Sequence, residues 1–71
     1  MSMTGTEFSV ALRSLLERLG AVRVRIGPNG IASHWRTEIE AGVAREKFEE
    51  AGALHVETFP DNGLFAVFAK F

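Results

Sequence analysis

The two halves of the chain carry similar residues in the same order. Residues 43–60 align with residues 11–28 at an offset of 32 and share six identities in eighteen positions. The identical pairs are Arg13/Arg45, Glu17/Glu49, Gly20/Gly52, Ala21/Ala53, Val24/Val56 and Pro28/Pro60. One residue inserted in the second turn then aligns Gly30 with Gly63. Because such a period sets the architecture, we expect two copies of one folding unit, at 4–36 and 37–71, within a single domain spanning residues 1–71.

Each unit begins with the features of a helix. Capping boxes and terminal glycines predict its limits: Thr4 with Glu7 and Gly20 in the first unit, Thr37 with Glu40 and Gly52 in the second. Helical spacing aligns one apolar stripe in the first helix, formed by Phe8, Ala11, Leu12, Leu15, Leu16 and Leu19. The second stripe is smaller and consists of Ala41, Ala44, Phe48 and Ala51. Its small side chains predict a helix that lies close to the surface on which it packs.

Each predicted helix is followed by the features of a β-hairpin. Val22, Val24 and Ile26 alternate with Arg23 and Arg25, and a similar alternation runs through 54–58. The segments 27–30 and 60–63 contain Pro, Asn and Gly, which favour turns. Second strands then follow at 31–36 and 64–71.

The order αββαββ predicts an α+β two-layer sandwich with both helices on one face of a four-stranded antiparallel sheet. This architecture resembles a ferredoxin-like fold whose first strand has been moved to the end. The resemblance implies the strand order 3-4-2-1. The resemblance concerns architecture alone and implies no function. An alternative interpretation makes 38–71 the helix and wing of a winged helix.

Composition and charge exclude several classes. The chain has no cysteine, which removes disulfides, thiolate catalysis and cysteine-based metal sites. The net charge is −1, but residues 1–36 sum to +3 and residues 37–71 to −4, which indicates a two-signed surface. The N-terminal residues do not resemble a signal peptide, and no stretch approaches the ~20 apolar residues of a membrane span. We therefore expect a cytoplasmic protein that makes no membrane contact.

The uncovered side of the sheet is the first candidate binding surface. If one inserted residue aligns the two hairpins, Leu64, Ala66 and Phe68 point toward the helices. An apolar strip of Phe65, Val67, Ala69 and Phe71 then lies on the open side. The predicted partner-binding face consists of Arg23, Arg25, His34, Arg36, His55, Phe65 and Val67. A different second turn would reverse this assignment, because a one-residue slip moves every side chain to the other face.

An apolar strip among charges is typical of a contact surface. The leading hypothesis is therefore a small non-enzymatic protein-interaction module, of adaptor or inhibitor type, that binds a protein or a second copy of itself. The alternative is single-stranded nucleic-acid binding by the same face, with Phe59 and Phe65 stacking on bases and Arg23, Arg25 and Arg36 contacting phosphates. The acidic net charge and the lack of an RNP-type motif disfavour this alternative.

The second candidate surface is an acidic ridge on the second helix, formed by Glu38, Glu46, Glu49 and Glu50. Glu46 and Glu50 form a like-charge pair four residues apart, and Glu49 and Glu50 lie where the helix dipole disfavours acids. The ridge is either an ordinary solvated face or a site that docks on a basic partner, for example by imitating nucleic-acid phosphates to inhibit an enzyme.

Motifs for catalysis, phosphate binding or cofactors are absent from the sequence. We expect neither an enzyme nor a cofactor. His34 and His55 are predicted on strands roughly 9–10 Å apart, too far to share one ion, so no metal site is expected. Trp35 is predicted to belong to the core.

Overall fold

The computed structural model describes the backbone of residues 5–71 and the side chains of residues 10–71. The elements are α1 (Gly5–Arg18), β1 (Arg23–Gly27), β2 (Gly30–Trp35), α2 (Glu38–Glu50), β3 (His55–Asp61) and β4 (Leu64–Lys70). The predicted order αββαββ is confirmed. The predicted cap at Thr4 and the side chains of Glu7 and Phe8 lie outside the described residues.

The predicted glycines lie two residues after the last residue of each helix, and both helix ends have the same hydrogen-bonding pattern. Gly20 and Gly52 have positive φ values of 115° and 94°. After α1, the Ala21 N–H donates to the Leu16 carbonyl at 3.0 Å, and after α2 the corresponding bond joins residues 53 and 48 at 3.1 Å. In addition, the Gly20 N–H donates to the Glu17 carbonyl and the Gly52 N–H donates to the Glu49 carbonyl. The two hydrogen bonds at each helix end together form a Schellman motif. Glycine adopts this left-handed conformation without a Cβ clash.

The start of α2 matches the predicted cap. The Thr37 hydroxyl oxygen accepts a hydrogen bond from the Glu40 N–H at 3.1 Å and donates to the Glu40 carboxylate at 2.9 Å. Along the same helix, Ala41, Ala44 and Phe48 are buried. The two alanines bring α2 close to the sheet, as their size predicts.

The sheet is antiparallel throughout, with the order β1-β2-β4-β3. This is the predicted order 3-4-2-1 viewed from the other edge. The helix α2 packs on β2, β3 and β4, whereas α1 packs chiefly on β1. The core between helices and sheet contains Leu16, Val24, Ile31, Trp35, Ala41, Ala44, Phe48, Val67 and Ala69. The predicted core position of Trp35 is confirmed.

The predicted orientation of β4 is wrong. Ser33 pairs with Val67 and Ile31 pairs with Ala69, so these β4 side chains point toward the helices. Val67 and Ala69 are fully buried, and Phe65 packs against the core. Phe65 and Val67 therefore do not belong to the open side of the sheet. That side of β4 instead presents Leu64, Ala66 and Phe68.

The reason is the position of the second turn. Asn62 and Gly63 have φ values of 52° and 79°, as a two-residue type I′ hairpin requires, and Asp61 pairs with Leu64. The first hairpin turns at 28–29, where Gly27 pairs with Gly30. The two turns are thus 34 residues apart, whereas β1 and β3 match at 32. The second hairpin contains two additional residues and not one, and an even number preserves the alternation of faces.

Candidate functional site

The open sheet face is the side of the sheet that neither helix covers. Pairing across the strands places Arg23, His34, Ala66 and Phe59 in one row and Arg25, Ala32, Phe68 and Glu57 in the next. Of the predicted face residues, Arg23, Arg25, His34 and His55 lie on this side. Arg36 is exposed but follows the end of β2.

His34 lies on the predicted face but is not accessible to a partner. The residue is only 8% exposed, and its Nε2 lies 2.8 Å from the Asp61 carboxylate. The other ring nitrogen, Nδ1, is buried without a hydrogen-bond partner. Nε2 therefore already has a partner and Nδ1 is buried, so neither ring nitrogen is free to contact a substrate. The pair fixes β3 to β2 across the intervening β4.

His55 has a similar partner in an exposed position. Its Nε2 lies 2.8 Å from the Glu57 carboxylate, two residues along the same strand, and both side chains are more than half exposed. The two histidines are thus each paired with a carboxylate. Within residues 10–71, no three His, Cys, Asp or Glu side chains group closely enough to hold a metal ion.

Phe68 is the aromatic residue at the centre of the open sheet face. Gly30 has a φ of 148°, and a Cβ built there would meet the Phe68 ring at 2.9 Å and the Ala69 carbonyl oxygen. The ring therefore covers the bare backbone of Gly30. Arg25 lies in the same row across the sheet, and Lys70 follows on the same face. Phe68 was expected to point toward the helices, on the assumption that the second hairpin contains one inserted residue.

An apolar opening lies on the helix side of the sheet, between α1 and α2. This apolar groove has a volume of about 800 Å³. Its lining consists of Leu12, Leu15, Leu16 and Leu19 from α1, Ile26 to Ile31 from the first hairpin, Lys47, Phe48 and Ala51 near the end of α2, and Phe71. The groove exists because α1 packs on β1 while α2 packs on the other three strands.

Three side chains of the groove remain about half exposed: Leu15 at 52%, Leu19 at 48% and Phe71 at 51%. The Phe71 ring stands edge-on to Phe48, with 6.3 Å between ring centroids and 68° between planes. Among the described residues, Lys47 is the one charged side chain in the lining. Its Nζ lies 3.9 Å from the Glu50 carboxylate. The groove therefore offers apolar contact with little charge.

Helical spacing placed Leu15 and Leu19 on the stripe of α1 but did not predict that they would stay uncovered. Phe71 was expected on the open side of the sheet, and that prediction is wrong, because its side chain lines the groove on the helix side. A stripe containing Leu15 and Leu19 indicates core contact, and the spacing alone does not reveal how far apart two helices lie. The weak second stripe was the available signal. Ala41 and Ala44 of this stripe lie against the sheet and are too short to reach α1.

The acidic ridge is exposed, as predicted, but partly neutralised. Arg45 Nε donates to the Glu49 carboxylate at 3.0 Å, and Lys47 lies near Glu50. No ion pair to Glu38 or Glu46 occurs among the side chains of residues 10–71. Two of the four ridge carboxylates thus have cations on their own helix.

No family model, curated protein or solved structure matches the chain. Neither described helix is both long and apolar enough to cross a membrane.

Proposed function

We propose that this protein is a small non-enzymatic protein-interaction module whose contact surface is the apolar groove. The observation that carries the proposal is the half-exposed state of Leu15, Leu19 and Phe71 around one opening. A contiguous apolar surface of this kind on a small chain is typical of a binding site. Burying it against a partner removes apolar area from water, which is the main driving force of association.

The state of His34 supports the non-enzymatic part of the proposal. A general base needs a nitrogen within reach of the proton that it removes. In His34 one nitrogen contacts Asp61 and the other is buried. His55 is exposed, but no nucleophilic side chain is hydrogen-bonded to it among the described residues.

The open sheet face is the second candidate surface, and Phe68 is the observation that favours it. A half-buried aromatic ring on a central strand, with Arg25 and Lys70 on the same face, is suited to stacking on a base of single-stranded nucleic acid. Phe59 is exposed in the neighbouring row. Glu57 and Asp61 lie on the same face and repel phosphates, so we rank this function below protein binding. Phe68 takes the stacking role that the sequence assigned to Phe65.

The acidic ridge is the third candidate, as a docking site for a basic partner. Its exposed carboxylates support this use, and the ion pairs of Glu49 and Glu50 reduce its field. We therefore rank it below both other surfaces.

We also propose that the two αββ units are equivalent halves of one permuted ferredoxin-like fold. The strand order and the two Schellman motifs support this equivalence. If the units are equivalent, β2 corresponds to β4 at an offset of 34 residues. Ser33 then corresponds to Val67, and these two residues also pair with each other across the two strands.

Capture experiments with surface variants test the proposed function. The tagged protein is expressed in its source cell and recovered with bound protein and nucleic acid, with and without nuclease. Three variants each alter one surface: Leu15→Glu in the groove, Arg23→Glu with Arg25→Glu on the open sheet face, and Glu46→Lys on the ridge. Circular dichroism verifies that each variant is folded.

We expect one stoichiometric protein, either another chain or an untagged copy, that is lost with Leu15→Glu and retained with the other two variants. Nucleic acid that is lost with the arginine variant would instead establish the open sheet face. Loss with Glu46→Lys alone would establish the ridge. Capture that Leu15→Glu leaves unchanged would reject the groove as the contact surface, as would the absence of capture together with a wild-type chain that stays monomeric in concentrated solution.

A further inference from the structure

We infer that the apolar groove binds the same groove of a second copy of this chain, across a two-fold axis beside α1. The inference rests on the proposed function and specifies its partner. In a two-fold dimer the same surface serves both copies, so the surface must be complementary to itself. The helix α1 meets this requirement because it forms one wall of the groove and also projects exposed apolar side chains.

The exposed stripe of α1 has a pattern of sizes that suits antiparallel packing. Ala11, Leu15 and Leu19 are four residues apart, so they lie on one face of the helix, and all three are exposed. An axis beside Leu15 places Leu19 of one copy against Ala11 of the other. Large side chains then meet small ones at both ends of the contact, while the two Leu15 side chains meet at its centre.

Among the side chains of residues 10–71, charge does not oppose this arrangement. Lys47 is the one charged side chain in the groove lining among residues 10–71. Arg18 flanks the stripe, but antiparallel helices centred on Leu15 keep the two Arg18 residues six positions apart, or about 9 Å along the axis at ~1.5 Å per residue. The net charge of −1 per chain adds little repulsion. The same lack of charge gives the groove no means of selecting a strongly charged peptide.

The available area predicts a weak dimer. Leu15, Leu19 and Phe71 are each about half exposed, which leaves roughly 300 Å² of apolar surface per copy, given about 150–250 Å² for a whole aromatic side chain. Two copies thus bury roughly 600 Å² of apolar area. At an apolar share of about 60% the total is on the order of 1,000 Å². This lies just below the ~1,200–2,000 Å² of stable specific interfaces, so we expect a dissociation constant of roughly 10 µM to 1 mM.

Sedimentation equilibrium of the purified chain tests the inference, from roughly 10 µM to 1 mM, the range set by the expected affinity. We expect the mean mass to rise from that of the 7.8 kDa monomer toward twice that value. Leu15→Glu places a charge at the centre of the contact and should weaken dimerisation at least tenfold. Leu54→Glu is the matched control, because Leu54 is exposed but does not line the groove. It should dimerise like the wild type.

A second variant covers the case in which Leu15→Glu does not fold. Ala11→Arg changes an exposed helix position and should also weaken the dimer, because the long side chain meets Leu19 of the second copy. A wild-type chain that stays monomeric at 1 mM would overturn the inference, as would dimers that Ala11→Arg leaves intact. If the capture experiment nevertheless recovers a different protein through the groove, the proposed function stands and only the second copy is rejected.

Discussion

Ser33 and Val67 pair directly across the two central strands, and both are fully buried under the helices. The Ser33 hydroxyl donates to the Val67 carbonyl at 3.3 Å and accepts from the Trp35 indole Nε1 at 2.8 Å. One hydroxyl group therefore satisfies the indole N–H of the largest fully buried side chain. This relationship also fixes which side chains of β4 face the core.

Replacing Ser33 by alanine should reduce stability by about 1–3 kcal/mol, because it leaves the Trp35 indole N–H buried without an acceptor. The measurement is the free energy of unfolding in urea. In a Trp35→Phe background the same Ser33→Ala change should cost less, since the donor is already absent. An equal cost in both backgrounds would contradict the role assigned to this hydrogen bond.

The orientation of β4 predicts opposite outcomes for two aspartate variants. Val67→Asp buries a charge with no partner, which costs several kcal/mol in a chain whose total stability is roughly 4–10 kcal/mol, so it should be largely unfolded. Phe59→Asp changes an exposed position of the open sheet face and should retain the fold. Circular dichroism and thermal unfolding distinguish them. A folded Val67→Asp variant would restore the orientation that was expected from the sequence.

Two glycines that pair with each other at the end of the first hairpin should respond differently to alanine. Gly30 has a positive φ, and an added Cβ would meet the Phe68 ring and the Ala69 carbonyl. Gly30→Ala should therefore cost about 1–3 kcal/mol. Gly27 has open space around it, so Gly27→Ala should be neutral or stabilise by up to ~1 kcal/mol. Urea unfolding of both variants measures the difference, and equal costs would argue against the packing of Phe68 on Gly30.

The two histidine–carboxylate pairs should also differ in their contribution to stability. Asp61→Ala leaves the buried His34 ring without its one partner and should cost about 1–3 kcal/mol. Glu57→Ala removes a partner of the exposed His55, and pairs at such positions contribute about 0–1 kcal/mol. Thermal unfolding compares the two variants at one pH. A larger loss for Glu57→Ala would show that His34 does not need Asp61.

Local patterns were sufficient where a residue acts on its neighbours in the sequence. Thr37, Gly20 and Gly52 act through contacts within a few residues, and their roles were predicted correctly. The strand order was predicted through the resemblance to a permuted ferredoxin-like fold. The sequence did not determine which side of the sheet Phe65 faces, because that depends on whether the second turn begins at Pro60 or two residues later. Asn62 and Gly63, a strong type I′ pair, were the signal that could have decided the matter.

The groove depends on a property that no local pattern contains. Whether Leu15 is covered depends on the distance between α1 and α2, and that distance follows from how each helix packs on the sheet. The burial of a polar side chain also depends on residues that are distant in the sequence. His34 was predicted on the correct face, but its burial depends on Asp61, which lies 27 residues away in the sequence.

Leucine methyl NMR reports directly on whether the apolar groove is the contact surface of this protein. Leu12, Leu15, Leu16 and Leu19 line the groove, whereas Leu54 and Leu64 lie elsewhere and serve as internal controls. Spectra of the methyl-labelled protein are recorded at increasing protein concentration, over the range used for sedimentation equilibrium. They are recorded again in the presence of any partner recovered in the capture experiment. Concentration- or partner-dependent shifts confined to the four groove leucines are the predicted result. Shifts at Leu64 with unchanged groove leucines would contradict the claim and assign binding to the open sheet face.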